Sequence, residues 1–353
     1  MKKWFNLYLA ATFAALVLFG CSKSSNDGDG NGGGDITYKR SIDLSSLPEA
    51  SQAKLQDVKY NNGKIYAAFQ YFNGWVPAGN SKILELDEAG NVLRTFESNF
   101  MNVVEIEIRG NNLFVLDMGD YFAVDGGITK IDLTSATAQT ILDGATAGAD
   151  PAKIEFVSDN EAYLLMLKGF NDDLSEDSYV ATFNLNNNSL SPVDELGAKN
   201  SVKTISYNQN TNALWLGSGS NVYKYSLANK EIDFNATTQL PISSIKSAGA
   251  TTVTIETDYT AGKYGVISNN KYSSKKVIDS DADVGFADGN FYILECKDNG
   301  KLTYLTADGE IIKQVPFENS AYFNPHGVCG NGNGKIFVGS YEDLTISVFE
   351  AKN

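Results

Sequence analysis

The chain has 353 residues, of which 42% are hydrophobic and 20% are charged, and its formal net charge is −15 at pH 7. This proportion of apolar residues is sufficient for a folded core. The chain holds only three arginines, Arg40, Arg94 and Arg109, so it lacks a cationic face that would neutralise phosphates, and the composition argues against nucleic-acid binding.

Residues 1–20 begin with Lys2 and Lys3 and continue as a mainly apolar run to Phe19. A short basic start followed by an apolar core is typical of a secretory signal peptide. The run ends in Leu18-Phe19-Gly20-Cys21, which resembles the lipobox of bacterial lipoproteins, although Phe19 is bulky where that family usually has a small residue. The resemblance implies cleavage at Cys21 and its lipidation. The alternative is an ordinary signal peptide with an incidental Cys21.

Residues 22–35 contain only Ser, Lys, Asn, Asp and Gly. Such a composition cannot bury apolar surface, so residues 21–35 are predicted to be a lipidated Cys followed by a flexible tether. If Cys21 is lipidated, we expect a cell-envelope protein that contacts the membrane through its lipid anchor only.

From residue 36 onward one pattern recurs seven times, a turn of Asn, Asp or Gly followed by alternating apolar and aromatic residues. The copies begin at Lys64, Asn112, Glu161, Asn212, Thr251, Asn290 and Lys335. Their spacing of about 40 to 50 residues is that of four-stranded propeller blades, and no stretch has sustained helical periodicity. Residues 36–353 are therefore predicted to form one all-β domain, a seven-bladed β-propeller.

The seventh repeat ends before it completes a blade, because only residues 350–353 follow its third strand. Residues 36–44 form a strand pattern that has no blade of its own. We predict that this N-terminal strand completes the last blade and closes the ring, because closure removes two unpaired sheet edges.

Blade seven carries Asn324-Pro325-His326-Gly327-Val328 and then Gly332 to Val338. These residues resemble the pattern of NHL-repeat and YncE-like propellers. Together with the lipobox and the tether, the whole chain resembles the propeller lipoproteins of Bacteroidota, some of which accompany outer-membrane uptake systems. The resemblance implies the propeller fold and a compartment, the outer membrane, on its periplasmic or exposed side. It also suggests an accessory role in nutrient or siderophore uptake, with an outer-membrane transporter as partner.

Three long loops in blades one to three, and the loop that enters blade seven, are rich in aromatic residues. Ring closure makes blade seven a neighbour of blade one, so these loops are expected to share one face at the mouth of the channel. Aromatic faces beside polar groups suit stacking on sugars, planar ligands or peptide side chains. The predicted ligand is thus a small molecule, glycan or peptide, although some of these rings are expected to pack between blades. The candidate binding residues are Tyr71, Phe72, Trp75, Tyr121, Phe122, Phe170, Tyr322, Phe323 and His326.

His326 is the only histidine, so a three-histidine metal site is impossible. The side chain is suited to acid–base chemistry near neutral pH, and the alternative is a hydrogen-bonding role at the channel rim. Three lysines, Lys54, Lys153 and Lys203, each precede a predicted innermost strand. They suggest a cationic funnel for an anion, provided that all three point inward.

No cofactor is predicted, and calcium or another divalent metal is the alternative because carboxylates cluster in residues 172–177 and 279–283. The second cluster fails as a calcium loop, since Val284 and Asn290 stand where Gly and Glu are needed. Cys296 and Cys329 fall in different predicted blades, so we expect free thiols, with a disulfide as the alternative.

Enzyme hypotheses find little support in the residues. A sialidase needs three converging arginines, whereas two of the three are predicted on outer strands. A serine hydrolase would depend on His326 alone, without a Gly-x-Ser-x-Gly motif. The strongest enzyme alternative is a metal-dependent, lactonase-like hydrolase, for which the sequence offers Asn102, Glu105, Asp283 and Asn324.

Overall fold

A computed structural model of the protein describes residues 35–47, 50–74, 76–121, 123–168, 178–196, 202–258, 261–278, 282–295, 300–317 and 325–352. The predicted signal peptide, Cys21 and most of the tether lie outside these residues. Within these ranges, no helix has the length and apolar character needed to cross a membrane.

The described strands form seven antiparallel sheets, each with four strands in radial order. Blade one is β2 (Ala53–Asn61), β3 (Lys64–Asn73), β5 (Ser81–Asp87) and β6 (Val92–Phe100), with the short β4 (Val76–Pro77) paired to β3. Blade two is β7 (Val103–Arg109), β8 (Asn112–Asp117), β9 (Gly127–Asp132) and β10 (Ala138–Asp143). Blade three is β11 (Asp150–Phe156), β12 (Glu161–Leu167), β13 (Ser178–Asn184) and β14 (Ser189–Pro192).

The remaining blades repeat this plan. Blade four is β15 (Val202–Asn208), β16 (Ala213–Ser218), β17 (Asn221–Ser226) and β18 (Glu231–Thr237). Blade five is β19 (Ile242–Ala248), β20 (Thr251–Thr257), β21 (Gly262–Ser268) and β22 (Lys271–Ile278). Blade six is β23 (Asp283–Ala287), β24 (Asn290–Glu295), β25 (Lys301–Leu305) and β26 (Ile311–Pro316). Blade seven is β27 (Pro325–Gly330), β28 (Lys335–Ser340), β29 (Thr345–Lys352) and β1 (Asp35–Asp43).

The predicted closure by the N-terminal strand is confirmed. β1 pairs with β29 in antiparallel register from Asp35 opposite Lys352 to Asp43 opposite Thr345. β2 of blade one in turn packs against β27 of blade seven. The first and last strands of the domain therefore share one sheet, and the seven-bladed prediction holds.

Each interface between neighbouring blades has its own hydrophobic cluster. Alternation along β3 shows how one strand serves two interfaces. Ile65 and Phe69 face the cluster shared with blade seven, whereas Tyr66 faces the cluster shared with blade two. This period of two is the strand pattern that the sequence repeats display.

The innermost strands, β2, β7, β11, β15, β19, β23 and β27, lie side by side around the centre of the ring. In most of them the pairing register shifts by one residue near the strand start, as between Leu55 and Asp57 in β2 and between Val103 and Glu105 in β7. Such a β-bulge changes which side chains face inward. We call the end of the ring where these strands begin the entry face, and the opposite end the exit face.

Little helix is present in the described residues. α1 (Gly144–Ala147) joins blades two and three, and the Asp143 side chain caps it by accepting a hydrogen bond from Ala145 N at 3.1 Å. Two 3-10 turns occur at Ala50–Gln52 and Asp194–Leu196. These short segments connect blades and leave the sheets as the scaffold for any site.

Candidate functional site

Charged side chains from the innermost strands of blades one, two, three and five meet at the centre of the ring. Lys59 Nζ lies 3.0 Å from Glu107 Oε1, and Lys246 Nζ lies 3.3 Å from Glu155 Oε1. Although burial opposes its charge, carboxylates led by Asp57 and Glu107 raise the pKa of Lys59 well above its usual value. Burial likewise opposes the charge of Glu107, yet Lys59 and Lys246 hold its pKa below the usual value. The channel is therefore lined by compensating charges.

Two of the channel carboxylates also bind the backbone of the next blade. Asp57 Oδ2 accepts a hydrogen bond from Ile106 N at 3.1 Å, and Glu105 Oε2 accepts one from Ile154 N at 2.8 Å. Burial raises the pKa of Glu105 to about 7, against the opposing effect of nearby lysines. These contacts join blades one, two and three where no sheet pairing connects them.

A second polar group lies at the entry face where blade seven meets blade one. We call it the mouth cluster, and it consists of Lys54, Tyr121, His326, Tyr341 and Glu342. The rings of His326 and Tyr341 are 4.9 Å apart between centroids, and Lys54 Nζ lies 5.5 Å from the Tyr341 centroid while forming an ion pair with Glu342 Oε2. Burial, Tyr121 and Glu342 together raise the pKa of Tyr341.

Glu342 gives the mouth cluster an unused acceptor. Its Oε1 atom is buried and has no hydrogen-bond partner among the described residues. A buried carboxylate oxygen without a donor costs free energy, on the order of 1–3 kcal/mol. The position is thus suited to accept a hydrogen bond from a hydroxyl or amine of a ligand.

His326 has a lower pKa than an exposed histidine, so it stays neutral at a lower pH. Burial lowers its pKa, and the negative charge of Asp283 on β23 opposes that shift. The imidazole therefore favours the uncharged state, in which one nitrogen donates and the other accepts. This supports a hydrogen-bonding and stacking role at the channel rim.

The structure brings two of the predicted binding residues to Tyr341. The His326 ring lies 4.9 Å from the Tyr341 ring, and Tyr121 contributes to raising the Tyr341 pKa. Phe72 is half-buried in the hairpin formed with β4. Tyr71, in contrast, is 6% exposed within the cluster between blades one and seven, so its ring packs in the core and is not part of a binding face. The other candidates, Trp75, Phe122, Phe170, Tyr322 and Phe323, lie outside the described residues.

The loop that carries Tyr121 is fixed by two acids, the half-buried Asp117 and the buried Asp150. Asp117 accepts hydrogen bonds from Met101 N at 2.7 Å, Asn102 N at 2.7 Å and Gly119 N at 2.9 Å. Asp150 accepts one from Gly126 N at 2.8 Å. Burial and repulsion from Asp125 and Asp117 raise the pKa of Asp150 to about 7. The blade-two loop is thus held at both ends by carboxylates.

The three lysines predicted to form a cationic funnel lie at other positions than expected. Lys54, Lys153 and Lys203 lie within β2, β11 and β15 and do not precede them. Lys54 is paired with Glu342, Lys153 lowers the pKa of Glu105 by its charge, and Lys203 is exposed at a bulge. The three lysines therefore lie in three different electrostatic environments.

Tyr341 and Glu342 are site residues that the sequence pattern did not predict. They occupy the turn after β28, the second strand of blade seven. This turn joins the second and third strands of its blade, as do the long loops predicted to form the site in blades one to three. Its position therefore pointed to the site, but the prediction rested on loop length and this turn is short.

The residues offered for a lactonase-like metal site do not converge among those described. Asn102 is 2% exposed and its Oδ1 accepts a hydrogen bond from Gln70 Nε2 at 2.6 Å. Glu105 is bound to the backbone of blade three, and Asp283 begins β23, where its Oδ1 accepts a hydrogen bond from Val284 N at 2.7 Å. Asn324 lies outside the described residues. Where side chains are described, no group of three or more His, Cys, Asp or Glu residues is arranged to hold a metal ion.

Arg40 and Arg94 lie on the outer strands β1 and β6, and Arg109 ends the innermost strand β7, as predicted. The arrangement does not match a sialidase triad.

Cys329 is buried in β27 as a free thiol, as expected, and Cys296 lies outside the described residues.

No protein-family model matches the sequence, and no curated protein matches it either. Among solved structures, the chain is similar to the β-propeller domain of Cps50 (Swd1) from Myceliophteria thermophila. The TM-score is 0.60 and the sequence identity is 11%, with 84% of this chain and 96% of that chain covered. At this identity the likeness supports the propeller fold and carries no information about the ligand.

Proposed function

We propose that the protein is a lipid-anchored β-propeller of the cell envelope that binds a small polar ligand at its entry face. The carrying observation is the mouth cluster, in which two aromatic rings, a lysine and a carboxylate with an unused buried oxygen meet at one blade junction. A ligand with a planar or ring-shaped face and at least one hydroxyl or amine fits this chemistry. Glycans, siderophores and peptides satisfy that description.

The cluster is positioned by the junction between blade seven and blade one. Tyr341 O accepts a hydrogen bond from Leu55 N at 3.3 Å, so the cluster is built on the contact between blade seven and blade one. Burial favours the neutral form of His326, and raises the pKa of Tyr341, so the phenol stays protonated near neutral pH. Both rings therefore offer donors, acceptors and stacking surface.

The envelope location is supported by the sequence of residues 2–21 and by the resemblance to YncE-like and NHL-type propeller lipoproteins of Bacteroidota. In this proposal the protein assists an outer-membrane uptake system. Replacing Cys21 with Ala would release the protein from the membrane fraction if Cys21 carries the lipid. Unchanged partitioning into detergent would contradict the anchor.

The ligand-binding proposal is tested by titrating a panel of glycans, siderophores and peptides against the wild type and Tyr341→Ala. Stacking on one aromatic ring contributes about 1 kcal/mol, so the variant should bind several-fold more weakly. Tyr38→Ala is the matched control, because Tyr38 is a half-buried tyrosine on β1 of the same blade, at the outer edge. Equal affinities of the two variants for a ligand that binds the wild type would contradict the proposal.

A further inference from the structure

The exit face carries a cleft between blades one and two, away from the mouth cluster. Its volume is about 450 Å³, within the range of small-molecule sites. The strand ends that form it come from both blades, so neither blade contains the cleft alone. The lining includes Asn61, Lys64, Tyr66, Glu85, Arg94 and Asn111.

A buried carboxylate organises two cations at this cleft. Glu85 is 2% exposed, its Oε1 lies 2.6 Å from Lys64 Nζ, and its Oε2 forms an ion pair with Arg94. Burial, and then the charge of Glu85, raise the pKa of Tyr66 to about 12, so that phenol is neutral. Two positive charges face one negative charge, which leaves the lining with an excess of one positive charge on a strongly acidic protein.

Arg94 is held in place by contacts on three sides. Its Nη2 donates to Leu133 O of blade two at 2.6 Å as well as to Glu85, and its guanidinium lies 4.5 Å from the centre of the Phe96 ring. The Arg94 side chain is nevertheless 27% exposed and that of Lys64 is 40% exposed. Both cations are therefore positioned by protein contacts and still accessible from the cleft.

Neutral polar groups complete the lining. Asn61, Asn62, Asn111 and Thr134 lie around the two cations. The neighbouring carboxylate of Asp132 accepts hydrogen bonds from Thr134 N and Ser135 N at 2.9 and 2.8 Å, so it is engaged within its own turn. The cleft thus offers amides and a hydroxyl beside the two cations.

We infer that this cleft is a second ligand site, which takes a sugar acid or a similar small hydroxylated carboxylate. A guanidinium fork beside an ammonium matches a carboxylate in shape and charge. Amide side chains both donate to and accept from hydroxyl groups, which a sugar ring presents on its edge. This site uses residues on the face opposite the mouth cluster and is independent of the function proposed there.

The test is calorimetric titration of galacturonate, with galactose as the neutral probe, into the wild type, Lys64→Gln and Lys301→Gln. Lys64→Gln removes the excess positive charge, while Glu85 keeps Arg94 as its partner. Lys301→Gln is the matched control for Lys64→Gln. The Lys301 side chain is 35% exposed, and its Nζ lies 3.4 Å from Oε2 of Glu295 in blade six, a carboxylate whose side chain is 2% exposed. Thermal denaturation of all three proteins checks that each is folded.

We expect galacturonate to bind the wild type and Lys301→Gln with equal affinity and to bind Lys64→Gln at least tenfold more weakly. Galactose should bind the wild type at least tenfold more weakly than galacturonate does. Binding to the wild type should also weaken as salt is raised. Asn111→Ala should weaken galacturonate binding without changing its salt dependence. The inference is overturned if the wild type does not bind galacturonate at millimolar concentration, or if Lys64→Gln binds it as the wild type does.

Discussion

Single buried or half-buried acids connect backbone segments that strand pairing leaves unjoined. Asp57 and Glu105 each bind the backbone of the next blade, and Asp117 holds three backbone N–H groups around the blade-two loop. A carboxylate that accepts such bonds satisfies buried donors that would otherwise cost free energy. The acidic composition therefore serves the interior of this propeller as well as its surface.

Asp150 is the buried acid whose ionisation should be visible in stability. Its pKa rises from 3.8 to about 7 on folding, so the folded protein favours the neutral carboxyl. The stability that this preference contributes is complete below the unfolded pKa and is lost as pH rises through about 7. Asp150→Asn stays neutral and keeps the oxygen that accepts from Gly126 N. We expect it to melt like the wild type at pH 4 and to be more stable, by on the order of 2 kcal/mol, at pH 8.

The control for this prediction is Asp43→Asn. The pKa of Asp43 is lowered by hydrogen bonds from Ser45, so its stabilising contribution is present above the unfolded pKa and is lost as pH falls. Its amide variant should thus be slightly less stable than the wild type at neutral pH, the opposite sign to Asp150→Asn. Parallel pH profiles for Asp150→Asn and the wild type would contradict the argument.

At the level of elements, the second strand of every blade was predictable and the direction of the innermost side chains was not. The segments starting at Lys64, Asn112, Glu161, Thr251, Asn290 and Lys335 open the strands β3, β8, β12, β20, β24 and β28. They alternate between two buried faces and carry strong turn residues, so their pattern is local. The innermost strands contain bulges that this pattern does not encode, and Lys54, Lys153 and Lys203 lie within these strands and not before them.

Gly327 shows how closely blade seven approaches blade one. Its φ is +71°, and a Cβ placed on it would lie 2.6 Å from Asp57 Oδ1 and 2.8 Å from Val58 N. Gly63 in the turn between β2 and β3 has a similar φ of +80° but has open space around a Cβ. Both Ala variants carry backbone strain, and only Gly327→Ala adds a clash at the blade junction.

We therefore expect Gly327→Ala to lower the free energy of unfolding by at least 2 kcal/mol more than Gly63→Ala does, an amount on the scale of other destabilising core changes. Denaturant titration of both variants measures the difference. Because Asp57 also holds Ile106 N, Gly327→Ala should perturb blade two, visible as faster amide exchange in β7. Equal destabilisation by the two variants would show that the junction tolerates the added methyl group.

Across the whole molecule, the ring and its closure could be predicted from the sequence. The sites that depend on side-chain contacts between blades could not be predicted in full. Seven repeats and a spare N-terminal strand pattern were sufficient for the ring and its closure. The cleft between blades one and two was not predictable, because Lys64, Glu85 and Arg94 meet only through strand register and Arg94 reaches Leu133 across the interface. The mouth cluster was partly predictable, since Tyr121 and His326 were chosen and their partners Tyr341 and Glu342 were not.

The closure of the ring predicts unequal effects of two truncations. Deleting residues 35–44 removes β1, exposes the edge of β29 and takes the buried Ile36, Ile42 and Leu44 out of two inter-blade clusters. Burial of each such side chain stabilises the fold by about 1.5–3 kcal/mol, and an unpaired edge promotes aggregation. Deleting residues 22–34 removes only Ser, Lys, Asn, Asp and Gly. We expect the first truncation to lower the melting temperature by more than 10 °C or to aggregate, whereas the second should melt like the full chain. Similar melting temperatures for both would mean that the outer strand of blade seven contributes little to holding the ring together.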